Sequence, residues 1–146
     1  MDYVPDKSVL HLLHRATQVA DDIFNRGQEG DALTPRQFVV LAAIARFEGS
    51  SQTHITAATG VDRSTMADIV KRLLRKGLVA RKRARGDARA YAVKVTAIGR
   101  ELMERTSATI RRAEQELLAP LSPQARTALI TSLLELSKIP QRSEQD

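Results

Sequence analysis

The 146-residue chain has no cysteine, which excludes a disulfide framework, thiolate zinc or iron–sulfur ligation, and redox sensing by a reactive thiol. It also lacks any run approaching the roughly 20 apolar residues that a membrane-spanning helix requires. Its opening, Met-Asp-Tyr-Val-Pro-Asp, does not lead a basic stretch into an apolar one, so a cytoplasmic protein with no membrane partner is expected. The motifs of common enzyme chemistries are missing too: there is no Gly-rich phosphate loop, no HExxH pair and no serine in a strand-to-helix elbow. Neither catalysis nor a cofactor is expected. Without internal repeats, low-complexity segments or a long linker, a single unit over 1–146 is the simplest organisation.

With 42% apolar and 27% charged residues, the chain has the means to build a globular core. Its net charge of +6 is unevenly placed. From Asp62 to Arg100 there are twelve Lys or Arg against three acids, a local charge of +9, and the remainder of the chain carries −3. A positive field concentrated in one segment is what docking onto phosphates requires, whereas an even excess would only aid solubility.

Hydrophobic periodicity predicts a mainly helical protein with one small hairpin. Val9, Leu12, Leu13, Ala16, Val19, Ala20, Ile23 and Phe24 lie along one side of a helix from about Lys7 to Arg26. Thr34-Pro35-Arg36-Gln37 opens a second helix, in which Phe38, Leu41, Ala42 and Ala45 are expected to be buried. Ser51 caps a short third helix, Gly60 turns the chain, and Asp62 caps a fourth helix with Met66, Ile69, Val70, Leu73 and Leu74 inside. Two short helices joined by a Gly-containing bend outline a helix-turn-helix.

Leu78 to Ala84 and Ala90 to Val95 read as two strands around a basic turn, with Tyr91, Val93 and Val95 alternating against Ala92 and Lys94. Thr96 and Ser122 then cap two further helices. The first and last helices carry wide apolar stripes that a small central lobe cannot cover alone, so pairing of two chains is expected.

On the fourth helix a wheel places Ser64, Asp68, Lys71 and Arg75 opposite the apolar stripe, flanked by Thr65 and Arg72, with Arg63 in the first turn. Such a face fits a major groove, where hydroxyls reach bases or phosphates and Arg or Lys reach guanine or phosphate. A solvated amphipathic helix would look the same in isolation. The adjoining ribbon, tipped with Arg85 and Arg89, favours the nucleic-acid reading. An arginine there suits a narrow minor groove, and Asp87 can hold its guanidinium or simply stabilise the turn.

These segments resemble the MarR family of winged-helix regulators. The anchors are LTPRQFVVLAAI, the Thr59-Gly60 bend, DRSTMADIVKRLLRKGLVARKR, GDARAYAVKVT and the Thr96-Ala97-Ile98-Gly99 helix opening, with Asp87-x-Arg89 followed by Val95-Thr96-x-x-Gly99 the most specific. The resemblance covers roughly Leu33 to Arg105. It implies a winged helix-turn-helix lobe (about 33–100) plus N- and C-terminal dimerisation helices (about 7–28 and 101–139). It further implies a homodimer gripping a pseudo-palindromic site in double-stranded DNA, and a repressor of nearby genes released by a small effector. By carry-over, Ser64, Thr65 and Arg72 lie at the groove and Arg89 enters the minor groove beside Asp87. Asp68 and Lys71 depart from the usual pattern. Asp68 either accepts from a cytosine amino group or bridges to Lys71 or Arg72 one turn on, and helix spacing favours the bridge.

Effectors in the family are often anionic aromatic compounds, for which His14 and Arg15 are candidate contacts. His11 and His14, three apart on the first helix, lack the further ligands that a metal site needs, so no metal is expected.

Overall fold

The structure, a computed structural model, describes residues 4–30, 32–83 and 91–140, the side chain of Tyr91 excepted. Within it a 3-10 turn, Pro5–Lys7, precedes α1 (Val9–Arg26), α2 (Pro35–Arg46), α3 (Gln52–Thr59) and α4 (Arg63–Arg75). Strands β1 (Val79–Arg83) and β2 (Tyr91–Val95) follow, then α5 (Ala97–Leu118) and α6 (Pro123–Ser137). The chain divides into two compact units, Arg26–Arg111 and Met1–Asn25 with Arg112–Asp146.

The Arg26–Arg111 unit is delimited by local chemistry. At α2 the Gln37 N–H donates to Thr34 Oγ1 (3.2 Å) while the Thr34 N–H donates to Gln37 Oε1 (3.1 Å), a reciprocal cap behind Pro35. At α3 the His54 N–H donates to Ser51 Oγ (3.3 Å). Gly60 ends that helix at φ +68°, in the left-handed region that a side chain rarely adopts. α3 and α4 thus meet across a three-residue bend, and both pack on α2.

β1 and β2 form an antiparallel pair running in register from Val79↔Val95 to Arg83↔Tyr91. Val79, Val93 and Val95 face the same core as Leu33, Val40, Leu41, Ile44, Ile55, Met66, Ile69, Val70, Leu73 and Leu78. The start of α5 is tied to the entry of β1. The Thr96 N–H donates to the Leu78 carbonyl (3.0 Å), the Thr96 hydroxyl donates to the Gly77 carbonyl (2.7 Å), and the Gly99 N–H donates to Thr96 Oγ1 (3.1 Å). Gly99 is required by this approach, since a Cβ there would collide with the Leu78 carbonyl oxygen.

Two expectations about burial need correction. The sealed positions of α2 are Val40, Leu41 and Ile44, whereas Phe38, Ala42 and Ala45 are half-buried. The helix is apolar around most of its circumference, so its period alone does not select the innermost stripe. Ala92 is buried rather than exposed beside Lys94. Its cross-strand partner is Lys82, whose long stem has the reach to cover an alanine.

In the other unit the Ala125 N–H donates to Ser122 Oγ (3.2 Å) at the start of α6. Arg126 Nε donates to the carbonyls of Leu118 (3.0 Å) and Leu121 (3.1 Å), closing the turn from α5. Here little is sealed: Ile23 and Phe24 are buried on α1, and no residue of α6 is. Val9, Leu10, Leu12, Leu13 and Val19 on α1 are exposed, as are Leu129, Ile130, Leu133, Leu134 and Leu136 on α6.

Candidate nucleic-acid interface

α4 buries Met66, Ile69, Val70 and Leu73 and turns its other side outward. Arg63, Ser64, Asp68, Lys71, Arg72 and Arg75 are exposed, and Thr65 is half-buried. The structure therefore brings together on one helix surface all seven residues that the sequence assigned to it. The bridge favoured for Asp68 is not formed: among the described residues Asp68 makes no ion pair with Lys71 or Arg72. Arg63, Lys71, Arg72 and Arg75 likewise have no carboxylate partner among the described residues. Exposed, unneutralised cations hold a counterion atmosphere that a phosphate backbone can displace.

The first turn of α4 is fixed by Asp62. Its carboxylate accepts the Thr65 N–H at Oδ1 (2.9 Å) and the Thr65 hydroxyl at Oδ2 (2.6 Å). These two bonds, the hydroxyl's first, hold the Asp62 carboxyl below the ordinary aspartate range. By contrast, no partner for the Ser64 hydroxyl occurs among the described residues.

Beside α4 the hairpin stem displays Arg81, Lys82 and Arg83 on β1 and Lys94 on β2, all exposed. Lys82 lies 3.7 Å from Glu48, which follows α2, so one cation of the stem is paired with the segment between α2 and α3. Phe47 stacks edge-on with His54 at 5.0 Å, and the Arg46 guanidinium sits 5.5 Å from the Phe47 ring centre. Sequence reasoning singled out neither the Glu48–Lys82 pair nor the Phe47 cluster, because both join residues distant in the chain or in neighbouring elements. Arg85, Asp87 and Arg89 lie outside the described residues.

His14 and Arg15 are exposed on α1, and His11 is half-buried. Among the described residues no group of three or more His, Asp or Glu is placed to hold a metal ion. No helix among them is long and apolar enough to cross a membrane.

A helix-turn-helix whose second helix presents exposed cations, followed by a basic two-stranded ribbon, defines a winged-helix DNA-binding unit. The chain belongs to the MarR family, whose family model matches residues 33–90. It is 31% identical over 134 residues to the HTH-type transcriptional repressor NicR of Pseudomonas putida, covering 92% of this chain and 85% of that one. A regulatory protein for the hcr operon of Thauera aromatica is 33% identical over 73% of this chain, which spans 64% of that relative's length. Among solved structures, BpsR of Bordetella bronchiseptica superposes with a TM-score of 0.86 at 31% identity, over 96% of this chain and 100% of that one. That structure addresses how 6-hydroxynicotinic acid regulates DNA binding by BpsR. As a member of that family, this protein is a DNA-binding transcriptional regulator and not an enzyme.

Proposed function

We propose that the protein is a homodimeric cytoplasmic repressor that occupies a pseudo-palindromic operator near its target genes and leaves it when a small aromatic acid binds. The observation that carries this is the outward face of α4, where four exposed cations have no carboxylate partner among the described residues. In this reading Ser64, Thr65, Asp68, Lys71, Arg72 and Arg75 meet the major groove, with Arg63 at its edge. Arg85, Asp87 and Arg89 serve the minor groove. The exposed apolar faces of α1 and α6 support pairing of two chains. The aromatic-acid class is supported by the 6-hydroxynicotinic acid of BpsR, and His14 and Arg15 are its candidate contacts. Two half-sites about one helical turn apart follow from two-fold symmetry.

The test is selection of bound fragments from genomic DNA, followed by release with 6-hydroxynicotinic acid and related aromatic acids. Recovery of one inverted repeat, at about 10⁻⁸ M or tighter in physiological salt, is expected. Recovery of random sequence would indicate a DNA-coating protein instead, and no enrichment a protein-binding module. Arg72→Ala is expected to weaken operator binding by about 1–3 kcal/mol and to flatten its salt dependence, and Arg89→Ala to do the same. Unchanged affinity and salt slope remove the residue concerned from the interface.

A further inference from the structure

Adjacent hydroxyls on the outward side of α4 differ in what they have left to offer. Among the described residues the Ser64 hydroxyl has no partner, whereas the Thr65 proton is committed to the Asp62 carboxylate across 2.6 Å. An ionised carboxylate has no proton to give, so the polarity of that bond is fixed: Thr65 donates and Asp62 accepts. The carboxyl stays ionised to lower pH than an ordinary aspartate, because the Thr65 hydroxyl and N–H hold it below its ordinary range. What remains on Thr65 Oγ1 is a pair of acceptor sites. Asp62, too, offers only acceptors.

We infer that Thr65 is a specificity-determining residue whose hydroxyl, locked as an acceptor by Asp62, selects a base with an exocyclic amino group, adenine or cytosine, on the strand facing it. In the major groove adenine N6 and cytosine N4 are donors, whereas guanine O6 and N7 and thymine O4 are acceptors. Phosphate oxygens are acceptors as well, so a locked Thr65 is a poor backbone contact and a discriminating base contact. The neighbouring Ser64, whose hydroxyl has no partner among the described residues, carries no such restriction. The inference rests on the reading that α4 enters the major groove and adds to it the hydrogen-bond sense of one position.

The experiment begins with the operator that the full-length protein selects from random duplex DNA. Thr65→Val keeps the shape and removes the hydroxyl. Asp62→Ser keeps a helix cap and releases the Thr65 proton. Thr65→Val is expected to lose discrimination at one symmetry-related pair of positions, where the wild-type protein takes adenine or cytosine. Replacing that base with its analogue lacking the amino group, purine for adenine or pyrimidin-2-one for cytosine, should weaken wild-type binding about 3- to 10-fold, one hydrogen bond's share. The same replacement should leave Thr65→Val binding unchanged. In Asp62→Ser, guanine or thymine becomes acceptable at that position. Motifs identical for all three proteins, or a wild-type choice of guanine or thymine where Thr65→Val acts, would overturn the inference and leave the operator reading standing. Failure of the wild-type protein to enrich any sequence would overturn both.

Discussion

The two compact units of this chain solve the problem of apolar surface in opposite ways. In Arg26–Arg111, Val40 and Leu41 are 0% exposed, within a core built by α2, α3, α4 and the hairpin and packed against by Leu102 and Met103 of α5. In the unit holding α1 and α6, Leu10 is 73% and Leu134 is 57% exposed. The first folds against itself. The second leaves much of its hydrophobic surface exposed. Sealed and open apolar surface are thus separated along the chain, and the separation can be broken from either side.

The largest effect is expected inside the sealed core. Leu41→Ala removes side-chain atoms from the centre of the winged unit and should cost about 2–5 kcal/mol of unfolding free energy. The loss should be independent of protein concentration in urea titrations. A concentration-dependent loss would mean that the core is not self-contained. Next comes Gly99→Ala, which drives a methyl group into the Leu78 carbonyl, a backbone atom held by the Thr96 N–H. Overpacking of this kind costs about 1–3 kcal/mol, and a rigid backbone neighbour favours the upper end. A stability equal to wild type would show that α5 can lift away from β1 without cost.

The contrast between the units also explains which features were legible in the sequence. Caps are local, so Thr34, Ser51, Asp62 and Ser122 could be assigned from a residue and its neighbours three positions on, and each accepts the N–H expected of it. The polar face of α4 was legible because its apolar stripe is narrow. α2 was read less well: it contacts α3, α4 and β2, and a helix surrounded in this way is apolar over too wide an arc for periodicity to centre. The direction of the Thr65 hydroxyl depends on rotamers on two side chains. Residue types do not specify those.

A smaller effect belongs to the open surface. Leu134 has more than half of its side chain still to bury, so Leu134→Ala should lose about 1–1.5 kcal/mol per chain where chains pair. Its signature is a melting temperature that falls more steeply on dilution than that of the wild type, with mass measurements showing more monomer. A loss equal at all concentrations would place Leu134 in an intrachain core instead.

The smallest effect returns to the winged unit and carries a pH signature that the open faces lack. The Asp62 carboxyl titrates below its ordinary range when folded, so the unfolded chain binds its proton first as pH falls. Its stabilising contribution is complete above the ordinary aspartate value of about 3.9 and disappears as pH drops through the lowered folded value. Serine caps the same helix without a titrating group. The urea midpoint of wild type minus that of Asp62→Ser should therefore be constant above about pH 5 and decline below about pH 4, with the other carboxylates cancelling in the difference. Because the group sits wholly within one chain, the decline should be the same at every protein concentration. A difference that stays flat through the acid limb would mean that the Thr65 bonds do not discriminate between ionised and protonated Asp62, and the proton on Thr65 would then not be committed.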